Sequence, residues 1–351
     1  MGEWGIMSDT NSNEGGPSRV TRSDVARLAG VSTATVSYVL NGGPKKMSPA
    51  TELRVRDAAE KLGYHPNLIA RALKSGSAKM LGMIITDFSN PYFAQLINDV
   101  EQLANEREHV LILNTSHGSS ELERRRIDEL TDRGVDAIFV SSTLEDGEIG
   151  SLSTASCPII LLDRPHPLSG VKCVSTDMAD AVVRSVRHLF EHGRRKVAML
   201  FGLDITSRDA RVVGWIKAHQ DAGRPVGPVY TSSYSREGGY KATLKALRSL
   251  DRPDAIFASS DLEALGALRA IHECGLRIPE DIALISFDGT IESEYTWPRL
   301  TVMKQDTQTI ARCAVNAALS PADTPDLQLV DAEMVIRQSC GCRDESSEVR
   351  P

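Results

Sequence analysis

From Met80 onward, the sequence alternates short apolar runs with segments of helical character. The eight runs are MLGMIIT, HVLILNT, AIFVSS, PIILLD, KVAMLFG, PVYTS, AIFASS and IALISFD. Strands without polar alternation are buried on both faces, and helices between them connect parallel neighbours. The pattern therefore predicts an α/β core, with more strands than one compact sheet usually holds.

Residues 20 to 41 precede this core and read VTRSDVARLAGVSTATVSYVLN, whose spacing predicts two short amphipathic helices. Gly30 supplies the positive φ that the turn between them requires, Ala26 permits close approach, and Ser32 caps the second helix. The inward face is predicted to contain Val25, Leu28, Val36, Val39 and Leu40. This helix-turn-helix pattern leaves Thr33, Ala34, Ser37 and Tyr38 outward, where such helices meet base edges.

A third helix is predicted to begin at Ser48-Pro49, a cap followed by a first-turn proline, and to end at Gly63. Its inward residues are predicted to be Leu53, Val55, Ala58 and Leu62. The three helices would form a compact head that closes around Tyr64. Any helical hairpin with a glycine turn can show the pattern of the first two helices, so the third helix makes the helix-turn-helix prediction more specific.

The charge of the chain is unevenly distributed. The whole sequence has a formal charge of -7, whereas residues 17 to 80 carry eleven basic and four acidic side chains, a net charge of +7. A basic module on an acidic protein is typical of phosphate contacts and predicts salt-sensitive binding, and a solvated helix face is the alternative.

No apolar run reaches the roughly 18 residues of a membrane span, and the N-terminus lacks a signal-peptide pattern, so a cytoplasmic, nucleoid-associated protein is expected, with no membrane partner. The six cysteines are scattered, at positions 157, 173, 274, 313, 340 and 342. Cys340 and Cys342 form a possible metal pair, but no partner ligands lie near them in the sequence. Ordinary thiols are the favoured interpretation, and no metal or cofactor is expected.

Eight motifs then follow one another along the chain: VTRSDVARLAGVSTATVSYVLNG, YHPN at 64–67, NLIARALKSG, SNPYF at 89–93, LLDRP at 161–165, SSDLEALGALRAI at 259–271, ISFDG at 285–289 and LTVMKQD at 300–306. With these motifs the chain resembles the LacI/GalR family of bacterial transcription regulators over nearly its whole length. Jointly, the motifs are highly specific.

The resemblance implies an N-terminal all-α helix-turn-helix head plus an α/β two-lobed periplasmic-binding-protein-like (type I) core. The expected organisation is a disordered lead (1–18), the head (19–64), a hinge helix or linker (65–78), the core (79–342) and a disordered tail (343–351). Three crossings between the lobes are expected near Ser175, near Lys304 and within 321–327. Either Met1 or Met7 can be the native start.

For DNA binding, the resemblance places base-reading positions at Thr33, Ala34 and Tyr38, although Tyr38 can instead stack on sugar and phosphate. It also makes Leu73 a wedge that enters the minor groove from a hinge helix. A plain linker is the alternative. The full set of expected DNA contacts is Arg22, Ser32, Thr33, Ala34, Ser37, Tyr38, Asn41, Asn67, Ala70, Arg71, Leu73 and Lys74, with Lys45 and Lys46 as further phosphate contacts.

For the effector, the resemblance places a cleft between the lobes and contacts at Phe88, Asn90, Asp163, Arg164, Arg211, Tyr234, Ser260, Asp261 and Asp288. Carboxylates, a guanidinium and aromatic rings together favour a carbohydrate. Structural roles compete at some positions: Asp261 as a helix cap, Arg164 as a loop brace, and Trp215 with Gly214 as packing. Where many relatives have Asn, this chain has Ser260, which leaves the sugar open.

The sequence contains no nucleophile elbow, phosphate loop or clustered metal-ligand spacing, so an enzyme is not expected. A plain sugar-binding protein would lack the basic head, and a carbohydrate enzyme of similar fold would need a catalytic base. The favoured function is a homodimeric regulator, a repressor, that binds a palindromic double-stranded operator under control of a small-molecule effector. Whether the effector releases or strengthens DNA binding stays open.

Overall fold

The computed structural model of the chain describes residues 20–41, 46–65, 76–150, 152, 156–202 and 209–342. The chain divides into two compact units, Met1–Ala78 and Lys79–Pro351. The expected disordered lead and tail, and the expected hinge residues Asn67, Ala70, Arg71, Leu73 and Lys74, lie outside the described residues, as does Lys45.

The first unit contains the three predicted helices, α1 (Arg22–Ala29), α2 (Thr33–Asn41) and α3 (Pro49–Leu62). Gly30, with a φ of 63°, ends α1, and Gly63 ends α3 in the same left-handed conformation. The hydroxyl of Ser32 accepts a hydrogen bond from the backbone amide of Thr35 at 3.1 Å, which confirms its predicted capping role. Ser48 caps α3 in the same way.

The core of the head is built on small residues, and two predictions about it are wrong. Val25, Val36 and Val55 are fully buried, as predicted. Leu28 and Leu53, however, are 53% and 73% exposed. Ala29 on α1 and Ala59 on α3 are buried instead, beside the correctly predicted Ala58, because closely spaced helices admit small side chains along the contact line and leave leucines on the flank.

In chain order, the second unit comprises β1 (Met80–Ile85), α4 (Pro91–Glu106), β2 (Val110–Thr115), α5 (Ser120–Asp132), β3 (Ala137–Ser141), α6 (Asp146–Ile149), β4 (Ile159–Leu162), β5 (Lys172–Thr176), α7 (Met178–Glu191), β6 (Val197–Phe201), α8 (Ala210–Asp221), β7 (Val229–Thr231), α9 (Arg236–Leu247), β8 (Ala255–Ala258), α10 (Asp261–Glu273), β9 (Ala283–Asp288), β10 (Thr301–Lys304), α11 (Thr307–Leu319), β11 (Leu327–Val330) and β12 (Glu333–Val335). Two short 3₁₀ turns lie at Ile291–Glu294 and Pro321–Asp323. All eight predicted apolar runs form strands.

These strands form two six-stranded sheets, ordered β11-β5-β4-β3-β1-β2 in the first lobe and β12-β10-β9-β8-β6-β7 in the second. Every pair is parallel except β10 with β12. Helices cover both faces of each sheet, so each lobe has two apolar layers of packing. The structure therefore has the two-lobed α/β architecture that the sequence predicts.

Three short segments join the lobes. The chain crosses after β5 at Asp177 and after β10 at residues 305 and 306, close to the predicted positions near Ser175 and Lys304. The third prediction, within 321–327, is wrong. Residues 327 to 330 first add β11 to the first sheet, with Leu327 opposite Cys173, and the chain crosses at residues 331 and 332.

No helix among the described residues is both long and apolar enough to span a lipid bilayer.

Helices α9 and α10 pack backbone to backbone. A Cβ atom added to Gly239 would lie 2.2 Å from the carbonyl oxygen of Glu263, and one added to Gly266 would lie 2.0 Å from that of Arg236. Neither neighbour can give way, because both are helix backbone. Glycine at these two positions therefore sets the distance between the helices.

We expect Gly266→Ala to destabilise the core by about 1–3 kcal/mol, because the methyl group forces the two helices apart. Urea denaturation measures the loss. The control is Gly147→Ala in α6, where a Cβ would meet no atom within 4 Å. Equal unfolding midpoints for the two variants would contradict the close packing of α9 against α10.

Candidate DNA-binding surface and ligand cleft

The outward side of α2 is polar and accessible. Thr33 and Ala34 are exposed at its start, Ser37 and Tyr38 are half-buried, and Arg22 at the start of α1 is exposed. Ser32 uses its hydroxyl for the cap, and the Asn41 side-chain amide donates to the Ser37 hydroxyl at 3.4 Å. Thr33, Ala34 and Tyr38 are thus the side chains of α2 best placed to reach another molecule.

The second candidate site lies where parallel strands of both lobes end. In open α/β sheets, ligands bind at the carboxyl ends of the strands. Here Asp163 directly follows β4, Ser260 lies two residues after β8, and Asp288 is the last residue of β9. The geometry of the carboxylates and of Arg211 decides what this cleft can bind.

Asp163 is held in a strained conformation directly after β4. Its φ is 66°, which non-glycine residues rarely adopt and which often marks a functional site. Ser141 donates a hydrogen bond to its carboxylate at 2.8 Å, and the Tyr92 hydroxyl approaches at 3.4 Å. Burial raises the pKa of Asp163 despite these donors and despite the charge of Arg211.

Asp288 is the second strained carboxylate, with a φ of 112° at the end of β9. Its carboxylate accepts a hydrogen bond from the side-chain amide of Gln305 at 2.9 Å and one from the backbone amide of Asp261 at 3.3 Å. Burial first, and then the neighbouring Asp261 charge, raise the pKa of Asp288 well above its ordinary value. A ligand that donates hydrogen bonds would therefore stabilise its charged form.

Arg211 opens α8 on the second lobe. Its guanidinium pairs with Asp209 through two contacts of 3.1 Å, and it lies 5.1 Å from the ring centre of Phe201 and 5.2 Å from that of Tyr234. Burial disfavours its charge, but Tyr234 and Asp209 outweigh burial and raise the pKa of Arg211 above its ordinary value. The planar donor group thus lies against both rings.

Tyr234 is the second ring beside this guanidinium. Its ring meets Phe201 edge to face at 6.3 Å and covers Gly202, where a Cβ would lie 2.5 Å from the ring. Its hydroxyl oxygen is buried and has no hydrogen-bond partner within the described part of the chain. A buried hydroxyl without a partner is costly, so this group is suited to a ligand contact.

The charged and aromatic residues of this site come from both lobes. The charge of Arg211, on the second lobe, lowers the pKa of Asp163 on the first, and Asp288 on the second lobe raises that of Tyr92 on the first. Burial is the larger cause for both groups. The structure therefore brings four predicted effector residues, Asp163, Arg211, Tyr234 and Asp288, into one electrostatic environment.

Three other predicted effector residues hydrogen-bond to their own surroundings, and a fourth is exposed. Asn90 caps α4 and accepts from the backbone amide of Tyr92 at 3.0 Å. Arg164 donates to the backbone carbonyls of Ser142 and Leu144, so it braces that loop. Ser260 caps α10. Phe88 is exposed on the loop after β1.

Asp261 does not cap its helix, which corrects the structural alternative for this residue. The cap is Ser260, whereas the Asp261 carboxylate accepts from the Ser286 hydroxyl and from both the backbone amide and the hydroxyl of Thr290. Burial raises the pKa of Asp261 to about 6 despite these donors. Asp261 therefore stabilises the loop that carries Asp288.

Trp215 and Gly214 have the expected packing role. Trp215 is fully buried and its indole donates to the backbone carbonyl of Gly227 at 3.3 Å, while a Cβ on Gly214 would lie 2.3 Å from the carbonyl oxygen of Ala179. His166 pairs with Asp146 at 2.9 Å rather than with Asp163, so the two neighbours in the sequence form no dyad.

The sequence did not single out four residues of the cleft: Tyr92, Phe201, Asp209 and Gln305. Tyr92 lies within the motif SNPYF, whereas Phe201 lies in an apolar strand segment typical of an ordinary core. Asp209 precedes α8 as a cap, a position typical of aspartate. Gln305 lies within the motif LTVMKQD, which is the signal that was available for it.

Known proteins resemble both units. The model of bacterial regulatory proteins, lacI family, matches residues 21–67, and that of a periplasmic binding protein-like domain matches residues 186–340. The HTH-type transcriptional repressor PurR of Haemophilus influenzae (strain PittEE) is 31% identical over 331 residues, which cover 91% of this chain and 98% of that protein.

Two solved structures of regulators extend the comparison. A lac repressor dimer bound to operator and the anti-inducer ONPF is 26% identical, covering 92% of this chain and 99% of its own, with a TM-score of 0.82. The complex of the transcriptional regulator CelR with cellobiose is 27% identical, covering 92% of this chain and 100% of its own, with a TM-score of 0.66. Each match spans the head and the core.

We expect Asp288→Asn to make the stability of the core less dependent on pH. Because the pKa of Asp288 is raised on folding, the folded state binds its proton more tightly than the unfolded chain does. Its contribution to stability is thus present at low pH and is lost as the pH rises above about 4 toward the folded pKa.

Thermal unfolding across a pH series measures this dependence. As the pH rises above about 4, Asp288→Asn should lose stability more gradually than the wild type does. The control Asp323→Asn, at an exposed aspartate, should follow the wild type. Parallel curves for wild type and Asp288→Asn would contradict the raised pKa.

Proposed function

The chain belongs to the LacI family of bacterial regulatory proteins, and we propose that it is a homodimeric repressor whose inter-lobe cleft binds a sugar. As a member of that family it is a DNA-binding transcriptional regulator and not an enzyme. The proposal adds the effector, the oligomeric state and the residues that act. Its place of action would be the bacterial chromosome in the cytoplasm.

The observation that carries the effector proposal is the cluster of Asp163, Arg211, Tyr234 and Asp288, of which Asp288 is buried and the others are partly buried. Two carboxylates can each accept paired hydrogen bonds from neighbouring hydroxyls, and a guanidinium can donate to ring or hydroxyl oxygens. Beside these polar groups, the half-buried ring of Tyr234 supplies an apolar face, and the fully buried Phe201 packs edge to face against it. A pyranose presents this combination of hydroxyls and an apolar face, and cellobiose in the CelR complex is such a ligand.

For DNA, we propose that Thr33, Ala34 and Tyr38 read bases from the exposed side of α2. The methyl group of Ala34 suits a thymine methyl, and Arg22 and Lys46 are exposed for phosphate contacts. In the segment 65–78, we propose a hinge in which Leu73 enters the minor groove. Asn67, Ala70, Arg71 and Lys74 would support the same hinge.

The homodimer proposal rests on an exposed aromatic surface of the second lobe. Tyr295 and Trp297 are 84% and 89% exposed, and Ile291 lies in the same short segment. Exposed apolar patches of this kind mark interaction sites, and aromatic residues are enriched at interfaces. A second copy is the proposed occupant, as the related lac repressor is a dimer. Two heads would then read two half-sites of a near-palindromic operator.

We expect the purified chain, incubated with sheared genomic DNA at near-physiological salt, to enrich fragments that share one short near-palindrome. Sequencing of the bound fragments identifies it, with and without added sugars to allow for a corepressor. Failure to enrich any sequence under every condition would contradict sequence-specific binding by the head.

On that operator, Leu73→Ala should weaken specific binding far more than nonspecific binding, because only a specific site is kinked by the wedge. Competition binding against random duplex DNA measures both affinities. Equal losses for the two kinds of DNA would contradict the wedge assignment, although sequence reading by α2 would stand.

We expect Arg211→Lys to weaken sugar binding about 10-fold or more, since lysine keeps the charge but loses the planar fork. Calorimetric titration with a panel of mono- and disaccharides identifies the ligand first. Arg236→Lys, at an exposed position on α9, is the matched control. Unchanged affinity in Arg211→Lys would place the ligand elsewhere.

A further inference from the structure

A cluster of two histidines and a cysteine lies on the second lobe. His188 and His192 occupy the last turn of α7 and the residue after it, and Cys342 lies at the end of the described chain. One ligand atom from each of the three residues lies within 4.8 Å of the other two. None of these residues belongs to the cleft or to the DNA-binding surface.

The distances fit a metal centre. The sulfur atom of Cys342 lies 3.1 Å from Nε2 of His192 and 3.6 Å from Nε2 of His188. In a tetrahedral zinc site, with Zn–S of about 2.3 Å and Zn–N of about 2.0–2.1 Å, neighbouring sulfur and nitrogen ligands are about 3.5 Å apart. The two observed sulfur–nitrogen distances are close to this value.

The backbone holds the ligands in place independently of any ion. Residues four apart on a helix project from the same face, which brings His188 and His192 together with ring centres 4.5 Å apart. Gly341, with a φ of 105°, turns the chain sharply, and a Cβ there would lie 3.8 Å from Nδ1 of His192.

The chain before the glycine is anchored as well. The hydroxyl of Ser339 donates to the backbone carbonyl of Leu284 at 2.6 Å and accepts from the backbone amide of Thr301 at 2.9 Å. Cys340 is fully buried and contacts the Thr301 hydroxyl at 3.1 Å. Little movement is therefore available to Cys342, and its position beside the histidines is set by the fold.

We propose that His188, His192 and Cys342 bind one zinc ion, with a water molecule as the fourth ligand. Imidazole nitrogen and thiolate sulfur are the ligands that zinc prefers, and binding releases the thiol proton of Cys342 to solvent. His192 is exposed, so an ion can enter from the surface. The ion would fasten the segment after β12 to α7.

The test uses tag-free full-length protein, purified under reducing conditions and stripped of metal with EDTA. Titration with Zn²⁺ against a chromophoric chelator should give one tightly bound ion per chain. Substitution with Co²⁺ should give the visible bands of tetrahedral cobalt and a near-ultraviolet thiolate-to-cobalt transition. Zn²⁺ should also raise the thermal midpoint by several degrees, because it binds the folded state alone.

Cys342→Ser and His192→Gln should each weaken Zn²⁺ binding at least tenfold, and both positions are accessible enough for the variants to fold. Their matched controls are Cys274→Ser and His272→Gln, an exposed cysteine and histidine at the end of α10. Less than one ion per chain, a cobalt spectrum without the thiolate transition, or equal affinities in the cluster variants and the controls would overturn the site. Thiol–imidazole hydrogen bonds would then be the whole role of these residues.

Discussion

Gln305 connects two of the segments that join the lobes to Asp288 in the cleft. It lies on the second crossing segment, where its side-chain oxygen accepts a hydrogen bond at 2.6 Å from Thr176, the last residue before the first crossing. Its side-chain amide donates to the Asp288 carboxylate at 2.9 Å, and its backbone amide donates to the Asp288 carbonyl at 3.0 Å. All three residues are buried, so breaking any of these bonds would leave an unsatisfied polar group.

We propose that this arrangement links ligand binding to lobe orientation. A ligand that hydrogen-bonds to Asp288 changes the charge and the partners of a carboxylate that also holds two crossings together. Backbone strain also lies at this site, since Asp163 and Asp288 both adopt positive φ where strands end at the cleft. The site is therefore costly in the absence of a ligand, and the surrounding sheets, with their fully buried strands, supply the stability that tolerates it.

The sequence predicted the parts of the fold that local rules determine. The eight apolar strands, the caps at Ser32 and Ser48, and the turn at Gly30 are each encoded within a few residues. The errors concern long-range packing: Leu28 and Leu53 fit the helical period, but alanines fill the contact line between the helices. β11 was missed because its pairing with β5 depends on residues about 150 positions earlier.

The contrast between local and long-range determinants also applies to the ligand cleft and the histidine–cysteine cluster. The resemblance named Asp163, Arg211, Tyr234 and Asp288, which the structure brings together. It also named Arg164 and Asp261, whose side chains hydrogen-bond to loops. The cysteine pair was interpreted as ordinary thiols because no ligand lies nearby in the sequence. His188 and His192 reach Cys342 only through folding, which local spacing cannot show.

We propose an energetic coupling between the cleft and the head, transmitted through the crossing segments. Its most direct test measures operator affinity with and without saturating ligand, and ligand affinity with and without saturating operator, at one fixed salt concentration. Thermodynamic linkage requires the ligand to change operator affinity by the same factor by which the operator changes ligand affinity. A coupling free energy of 1–3 kcal/mol makes this factor about 5–150. If the ligand binds the cleft with full occupancy and operator affinity does not change, the account is wrong.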